Sequence, residues 1–359
     1  MESSSSTTGA IPMTGGDGRN SYANNSSLQR IVVDRSKSII DEAIANYLDI
    51  QICPSSNTFR IADLGCSVGP NTFIAMKNII EAIDLKYSKS GSSPEFHVFF
   101  NDHASNDFNT LFVSLPPEKP YFAAGVPGSF HTRLFPKRTL HIVHSTNSLH
   151  WLSQVPKEVT DINSPAYNKG RVHYTNARYE VFEAYSAQYA KDIEAFLHAR
   201  AEEIVCRGLM LLTVSAIPDE APTELGMGPL IDILGFCLMD MANMGMLEEA
   251  KVDSFNVPVY KTTPREMKKL VERNECFNIE RIIDILPQEN NLKEVSAQTY
   301  SDHTRAIMEG VIKLHFGCSD HTIDHLFQHL YPKKLEDSLA NLLKSMGKSI
   351  VLFLILRRK

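Results

Sequence analysis

The chain has 359 residues, of which 43% are hydrophobic, and a formal net charge of −6. It is long enough for one large domain or a domain with an appended lobe, and its acidic balance without a long Lys or Arg run argues against a nucleic-acid partner. Six scattered cysteines without a CxxC pair indicate a reduced, cytoplasmic protein rather than a disulfide or zinc scaffold.

The two ends of the chain carry no membrane or export signal. The opening stretch MESSSSTTGAIPMTGG is small and polar, lacks the features of a secretory signal, and predicts a disordered tail over residues 1–14. Near the other end, the apolar run IVLFLIL is far shorter than the ~20 residues that cross a bilayer. We therefore expect no membrane partner, and we interpret this run as a buried strand.

The first 216 residues alternate between apolar strands and amphipathic helices. Helices are predicted from Phe73 onward and over residues 179–205, where apolar residues recur three and four apart. Strands are predicted at residues 58–64, 95–102, 139–145 and 208–216, with a short one within residues 121–130. This alternation is typical of an α/β fold with a doubly wound, mostly parallel sheet.

The pattern changes after Pro218. Residues 227–247 are apolar on nearly every face and rich in methionine, which predicts a helix buried in a second lobe. The segments NIERIIDILP and SIVLFLILRRK then supply late strands that can return to the sheet.

A glycine-containing loop, DLGCSVGPN, follows the first strand at residues 63–71. Glycines there let the backbone approach a ligand, and the following helix offers free N–H groups. Asp63 stands where it can pair with a cationic amino group, and Asp102, at the end of the second strand, can accept hydrogen bonds from two ribose hydroxyls. The pattern fits a nucleoside that carries an amino acid, namely S-adenosylmethionine.

Two alternatives remain at this loop. The glycines also suit a strand–helix turn that binds nothing. The pattern D-x-G-C-x-x-G differs from the G-x-G-x-x-G of dinucleotide enzymes, so a nicotinamide dehydrogenase is disfavoured.

The only tryptophan of the chain, Trp151, lies in HSTNSLHWLSQVP just after a predicted strand, with His150 beside it. Strand ends of α/β proteins are where ligands bind, although a lone tryptophan there is often core. His144, within or just after the strand, is interpreted as structural.

Five motifs in one order resemble the plant SABATH methyltransferases: GGDGRNSYANNSSLQR, DLGCSVGPN, FFNDHASNDFNTLF, GVPGSF and HSTNSLHWLSQVP. The resemblance runs from about residue 13 to the C-terminus and looks closest to the loganic acid and farnesoic acid branch. It implies a Rossmann-like S-adenosylmethionine-dependent core, a mostly helical cap and a homodimer. It divides the chain into a lid segment (residues 15–30), a core (31–216), a cap (217–275) and late core strands with remaining cap helices (276–359).

The resemblance also implies roles for individual residues. The residues implied to line the cofactor are Tyr22, Asp63, Gly65, Cys66, Asn71, Asp102, His103, Ser129 and Phe130. Those implied to hold the substrate are Tyr22, Gln29, Asn147, His150, Trp151, Leu230 and Ile231. Within the second set, Gln29, His150 and Trp151 position the substrate carboxylate. No general base is implied, because a carboxylate is already ionised at neutral pH.

Two departures from the family pattern bear on the substrate. Many members carry tyrosine where this chain has Asn147, and the cap near Leu230 and Ile231 lacks the tryptophan of salicylate-type members. Both favour a terpenoid or other aliphatic acid over salicylate or benzoate. N-methylation of a xanthine-type alkaloid on the same scaffold and a binding protein without catalytic activity remain open.

Two groups of residues are candidates for metal binding. The resemblance implies a structural Mg²⁺ site at Asn176, Asp253, Phe255 and Asn256, and hydrogen-bonded turns explain these residues equally well. The residues His321, His325 and His329 recur every four positions, but a solvated helix face is the favoured interpretation over zinc.

Overall fold

The computed structural model describes residues 11–53, 58–88, 93–219, 228–285, 295–346 and 349–359. Its centre is a seven-stranded sheet in the order β3-β2-β1-β4-β5-β7-β6. The strands are β1 (Thr58–Leu64), β2 (Glu95–Asp102), β3 (Phe122–Pro127), β4 (Leu140–Thr146), β5 (Ile204–Ala216), β6 (Phe277–Ile285) and β7 (Ile350–Arg358). The first five pair in parallel, and β7 pairs antiparallel with both β5 and β6. The predicted α/β methyltransferase-type sheet is confirmed.

Ten α-helices accompany the sheet in the described residues. They are α1 (Ser27–Tyr47), α2 (Pro70–Ser88), α3 (Phe108–Val113), α4 (Tyr179–Glu203), α5 (Gly228–Asn243), α6 (Glu249–Ser254), α7 (Pro264–Asn274), α8 (Ala297–Phe316), α9 (Asp320–His325) and α10 (Tyr331–Met346). A π-helical turn, Leu326–Leu330, joins α9 to α10. None of these helices is both long and apolar enough to cross a membrane.

Both faces of the sheet are covered, which explains why its strands are apolar without alternation. In β7, Leu352 and Leu354 point into the core layer beneath α4, whereas Phe353 and Ile355 point into the layer beneath α1 and α2. Parallel strands that are buried on both sides present side chains to a ligand mainly at their ends. The binding site is therefore expected where the carboxyl ends of the strands meet.

The cap is a third core formed mainly by α5, α8 and α10. The chain enters it after β5 and again between β6 and β7. The predicted cap range of residues 217–275 needs one correction, because α7 packs with α4 on the sheet, where Met267, Leu270 and Val271 join the core. Met227, the first residue of the predicted buried helix, lies outside the described residues.

Two further predictions differ from the structure. Residues 1–10 of the predicted disordered tail lie outside the described residues, but residues 11–14 pack on α8, where the Thr14 N–H donates to the Ala306 carbonyl. The strand predicted at residues 208–216 begins at Ile204, directly after α4. The longer strand is accommodated by a register shift in its pairing with β4 and by a positive φ at Arg207.

A buried ion pair fastens the loop after β3 to α4. Arg200 and Glu203 are both fully buried, with Arg200 Nε 2.7 Å from Glu203 Oε2. The remaining guanidinium nitrogens donate to the carbonyls of Phe130 and Thr132, and Glu203 Oε1 accepts from the N–H groups of Leu134 and Phe135. The pair thereby holds the segment that contains the GVPGSF motif.

Substitution of Arg200 tests this fastening. Arg200→Met leaves the Glu203 carboxylate buried without its cationic partner, and we expect the free energy of unfolding to fall by about 3–5 kcal/mol. Urea unfolding followed by circular dichroism measures it. The matched control is Arg281→Met, which removes an exposed pair with Glu42 and should cost under ~1 kcal/mol. Equal effects of the two substitutions would contradict a special role for the buried pair.

Candidate active site

The loop after β1 forms the floor of the site and depends on glycine. Gly65 has φ +79°, and its N–H and that of Cys66 both donate to the Asn101 carbonyl at the end of β2. A Cβ on Gly65 would lie 2.2 Å from the Ser148 hydroxyl and close to the ring of Phe130. Only glycine fits this position, so the backbone of the loop stays open to a ligand.

Asp102 lies at the end of β2 and faces the same loop. Its carboxylate accepts backbone hydrogen bonds from Ser67 (2.7 Å) and His103 (2.8 Å). Burial raises the pKa of Asp102, and these two hydrogen bonds oppose the shift. A carboxylate has about four acceptor positions, so capacity remains for a hydroxyl-bearing ligand. This arrangement fits the ribose of S-adenosylmethionine.

Asp63 is placed differently from the prediction. It is buried, and its two oxygens are engaged by the Thr72 hydroxyl of α2 and by His144 Nδ1 of β4, the latter at 2.7 Å. His144 Nε2 in turn lies 2.8 Å from the Thr146 hydroxyl. Asp63 therefore joins β1, α2 and β4, and His144 has the structural place that was predicted for it. The predicted contact of Asp63 with an amino group stays a prediction.

The other residues predicted to line the cofactor surround this loop. Asn71 donates to both the carbonyl and the hydroxyl of Ser26 at the start of α1. The Cys66 thiol is buried, which raises its pKa. Phe130 is buried against α4, and the Ser129 hydroxyl accepts weakly from the His131 N–H.

The N-terminal segment crosses the site as the lid position predicts. Its Gly16 N–H donates to Asp107 at the start of α3, and its Tyr22 N–H donates to the Thr14 carbonyl. Ala23 packs against Gly69, whose φ is +112° and where a Cβ would lie 2.9 Å from the Ala23 Cα. Burial and the nearby Asp102 raise the pKa of Tyr22. The segment thus touches the floor loop directly.

A cavity of about 250 Å³ lies between the sheet edge, the N-terminal segment and the cap. All seven residues predicted to bind substrate line it: Tyr22, Gln29, Asn147, His150, Trp151, Leu230 and Ile231. They come from the lid segment, α1, the end of β4 and α5. Most of the remaining wall is aliphatic, with Leu28, Leu234 and Met308 among its members.

The amide of Gln29 has a defined orientation. His303 Nδ1 lies 2.8 Å from the Asn25 carbonyl, which only accepts, so Nδ1 carries the proton. Burial lowers the pKa of His303, which leaves Nε2 as an acceptor, 3.4 Å from Gln29 Nε2. One N–H of the Gln29 amide remains for a ligand, and Gln29 Oε1 is buried without a partner.

His150 is a neutral group in the cavity wall. Burial, followed by the positive charge of Lys261, lowers its pKa to about 3. Its Nδ1 is buried without a hydrogen-bond partner. Neighbouring Trp151 pairs with Val259 through a short antiparallel bridge and packs on the cap core. Both side chains are thereby held on the cavity wall, and His150 Nδ1 is available to a ligand.

The backbone conformation at position 147 gives a second explanation for an asparagine there, in addition to its predicted role in the site. Its φ is +54°, a left-handed conformation that asparagine tolerates better than most residues. Its side-chain Nδ2 is buried without a partner, so a donor is available to a ligand.

His303 and Lys261 are among the polar residues of this wall that sequence reasoning missed. His303 comes from α8, and nothing in its local pattern distinguishes it from a surface histidine. Lys261 had a signal, because Val257 and Val259 alternate with it along an extended segment and all three line the cavity. The alternation predicts an inward lysine once the two valines are known to face inward.

The predicted magnesium residues are occupied by protein partners. Asn256 Oδ1 accepts from Asn168, Asp253 Oδ1 accepts from the Gly170 N–H, and Asn176 donates to Asp232. Phe255 is buried in the cap core. No group of three His, Cys, Asp or Glu side chains in the described ranges is placed to hold a metal. The predicted magnesium site therefore stays a prediction, and no chemical step is assigned to it.

The histidines of the i, i+4 series lie along α9 and the π-helical turn. His321 and His329 are exposed and His325 is half-buried. The centroids of the His325 and His329 rings lie 5.8 Å apart, and the ring planes are tilted by 53°. Their placement agrees with a solvated helix face.

Comparison with known proteins agrees with this geometry. The family model described as "SAM dependent carboxyl methyltransferase" matches residues 8–359. Loganic acid O-methyltransferase of Catharanthus roseus is 46% identical over 98% of this chain and 95% of that protein. Farnesoic acid carboxyl-O-methyltransferase of Arabidopsis thaliana is 45% identical over 76% of this chain and 78% of that one.

A solved structure of loganic acid methyltransferase with S-adenosylhomocysteine superposes with a TM-score of 0.92 at 46% identity, covering 97% of this chain and 99% of that one. The family model spans nearly the whole chain, and the fold and the glycine loop agree with it. The chain belongs to the S-adenosylmethionine-dependent carboxyl methyltransferases, the SABATH family predicted from its motifs.

Proposed function

We propose that this methyltransferase forms the methyl ester of a terpenoid or other aliphatic carboxylic acid. The observation that carries the proposal is the mainly aliphatic cavity with a few unpaired polar atoms from Gln29, Asn147 and His150. The names of two relatives, which act on loganic and farnesoic acid, support the same substrate class. An apolar wall with a few fixed polar groups is typical of a small-molecule site.

The carboxylate is proposed to rest on Trp151, Gln29 and His150. The indole N–H and the remaining amide N–H of Gln29 are donors for one carboxylate oxygen. His150 is neutral at physiological pH because its pKa is lowered to about 3, so it can donate through one nitrogen without attracting a proton from solvent. The second carboxylate oxygen is left as the nucleophile.

The proposed role of the protein is to position the substrate carboxylate and to exclude water. When bound, S-adenosylmethionine supplies an electrophilic methyl group. The substrate carboxylate is ionised without a base, so the residues only need to hold it in line and keep the site dry. The N-terminal segment and the cap cover the cavity, and Asp102 with Tyr22 and the Gly65 loop is proposed to hold the nucleoside.

Two further properties are proposed with this activity. The homodimer is proposed from the family resemblance, and light scattering of the purified protein measures it. A cytoplasmic location is proposed from the six cysteines, none of which forms a disulfide.

Transfer of labelled methyl from S-adenosylmethionine tests the activity itself. We expect label in base-labile esters of terpenoid or aliphatic acids such as loganic or farnesoic acid, with lower rates for salicylate and benzoate because the cap side of the cavity is lined by the aliphatic Leu230, Ile231 and Leu234. Xanthines are the control for nitrogen methylation. Label only in a xanthine, or binding of cofactor without turnover of any acid, would contradict the proposal.

Substitution of Asp102 tests the cofactor assignment. Asp102→Asn removes the charge and turns an NH₂ group towards N–H donors, so we expect S-adenosylhomocysteine to bind about 10- to 100-fold more weakly. Isothermal titration calorimetry measures the Kd. Glu95→Gln, at the opposite end of the same strand, is the matched control. An unchanged Kd in Asp102→Asn would remove this residue from the cofactor site.

Substitution of the two proposed carboxylate donors tests the substrate assignment. Trp151→Phe and Gln29→Leu each remove a donor while keeping bulk, and we expect kcat/KM to fall about 10- to 100-fold with the Kd for S-adenosylhomocysteine within threefold. Steady-state ester formation and calorimetry measure the two quantities. Leu28→Met, beside Gln29 on the cavity wall, is the control for packing. A parallel loss of cofactor affinity would instead indicate damage to the lid.

A further inference from the structure

The cavity wall carries a buried lysine that the proposed chemistry does not use. Lys261 is only 6% exposed and lines the cavity together with His150, His173 and Tyr174. Its main chain is fixed, because its N–H donates to the Tyr174 hydroxyl and the preceding Tyr260 N–H donates to the His150 carbonyl. The side chain therefore starts from a rigid segment and faces the cavity beside Val259.

No protein carboxylate neutralises this ammonium. The cavity-lining residues include two cationic side chains, Lys261 and Arg35, and no acidic one. Glu266, five residues further along the chain, accepts from the hydroxyls of Tyr260 and Thr262 instead. In the part of the chain that the structure describes, Lys261 forms no ion pair.

The surrounding groups respond to this charge. Burial lowers the pKa of Lys261 to about 8, and burial with Lys261 as a further cause lowers those of His150 and His173 to about 3 and about 4. Both histidines are neutral near pH 7, and burial raises the pKa of Tyr174, so that phenol is neutral too. Lys261 is thus the single charge of this part of the wall, and it remains largely protonated at neutral pH.

A buried charge without a partner is costly, and proteins keep one where a ligand supplies the partner. The methylated carboxylate is a poor candidate, since pairing with an ammonium would draw electron density from its nucleophilic oxygen. We propose that Lys261 receives a second oxygen acceptor of the substrate, distinct from the methylated carboxylate, so that the preferred acid carries an additional carboxylate or hydroxyl group. This inference rests on the proposed function and narrows its substrate class.

Three acids of equal chain length test the proposal: nonanoic acid, ω-hydroxynonanoic acid and nonanedioic acid. The wild-type enzyme should favour the dicarboxylate over nonanoic acid by about 10- to 100-fold in kcat/KM, with the hydroxy acid between them, because a hydrogen bond from an ammonium to an anion is the strongest of the three contacts. A larger ratio for the hydroxy acid would identify a hydroxyl as the natural acceptor.

Variants at position 261 separate recognition from structure. Lys261→Met keeps length and removes the charge, so the ratio between the dicarboxylate and nonanoic acid should fall to about one. Lys261→Arg should retain a ratio above one. Lys268→Met, an exposed lysine on α7, is the matched control and should leave every ratio unchanged. Lys261→Met should also unfold at no lower temperature than the wild type, because it removes a buried charge.

The pH dependence gives an independent readout. Lys261 is protonated below about pH 8 in the free enzyme, so the preference for the dicarboxylate should be present below this pH and decline above it. Both acids are fully ionised throughout this range, so the decline reports on the protein. Lys261→Arg should keep its ratio to higher pH, since a guanidinium does not titrate there.

Binding measured by the fluorescence of Trp151, the single tryptophan, separates failure of this inference from failure of the proposed function. With S-adenosylhomocysteine bound, the Kd ratio of the acids is measurable even without turnover. Equal losses for all three acids in Lys261→Met, or an unchanged ratio, would overturn the inference while ester formation stands. Selective binding of the dicarboxylate without any ester would support the inference and overturn the proposed function.

Discussion

The structure depends on one constraint, which is that its central strands are buried on both faces. The side chains of such strands pack into two core layers along most of their length, so the ligand-facing groups that the sheet contributes lie mainly at or just after the strand ends. The floor loop follows β1, Asp102 closes β2, and Asn147, His150 and Trp151 follow β4. The parallel arrangement brings these three ends to one edge. Side chains that are far apart in sequence therefore meet in one site without any local motif that joins them.

The cavity is completed by elements that the sheet does not position. The N-terminal segment is held between Asp107 on the core and Ala306 on the cap, and it brings Tyr22 and Gln29 inward. The cap contributes aliphatic side chains from α5 and the histidine that orients Gln29. Different parts of the structure therefore provide the reacting groups and the substrate selectivity. The sheet edge and the lid hold the reacting groups, and the cap with the extended segment around Lys261 shapes the remainder.

Much of this architecture was predictable, because strand and helix periodicity is strong where segments are fully buried. The strands at residues 58–64 and 95–102 are observed at the predicted positions, and the seven predicted substrate residues share one cavity. What the sequence did not reveal has physical causes. The contact of Asp63 with an amino group stays a prediction, but its hydrogen bonds with Thr72 and His144, which come from two other elements, were not foreseen. Such partners can be recognised only in the folded structure.

Other misses come from long-range packing that leaves no periodic trace. Residues 11–14, Ile-Pro-Met-Thr, directly follow a small, polar stretch, yet they lie along α8 because Gly310 leaves room for Ile11. Helix α7 has an amphipathic pattern that suits a cap as well as a core. Lys261 was inconspicuous because a single lysine in a loop is usually solvated, and its inward direction depends on the pairing of its segment with the residues after β4.

The way the cap is fastened has a consequence for how this enzyme can diversify. The helices α8 to α10 are inserted between β6 and β7, and the two ends of the insertion are joined where Ile285 pairs with Val351 at the cavity wall. This pairing fixes the base of the insertion, and with it two residues of the cavity wall, to the central sheet. New substrate ranges are therefore reached by exchanging individual wall side chains, and single substitutions can separate close relatives while the scaffold stays the same.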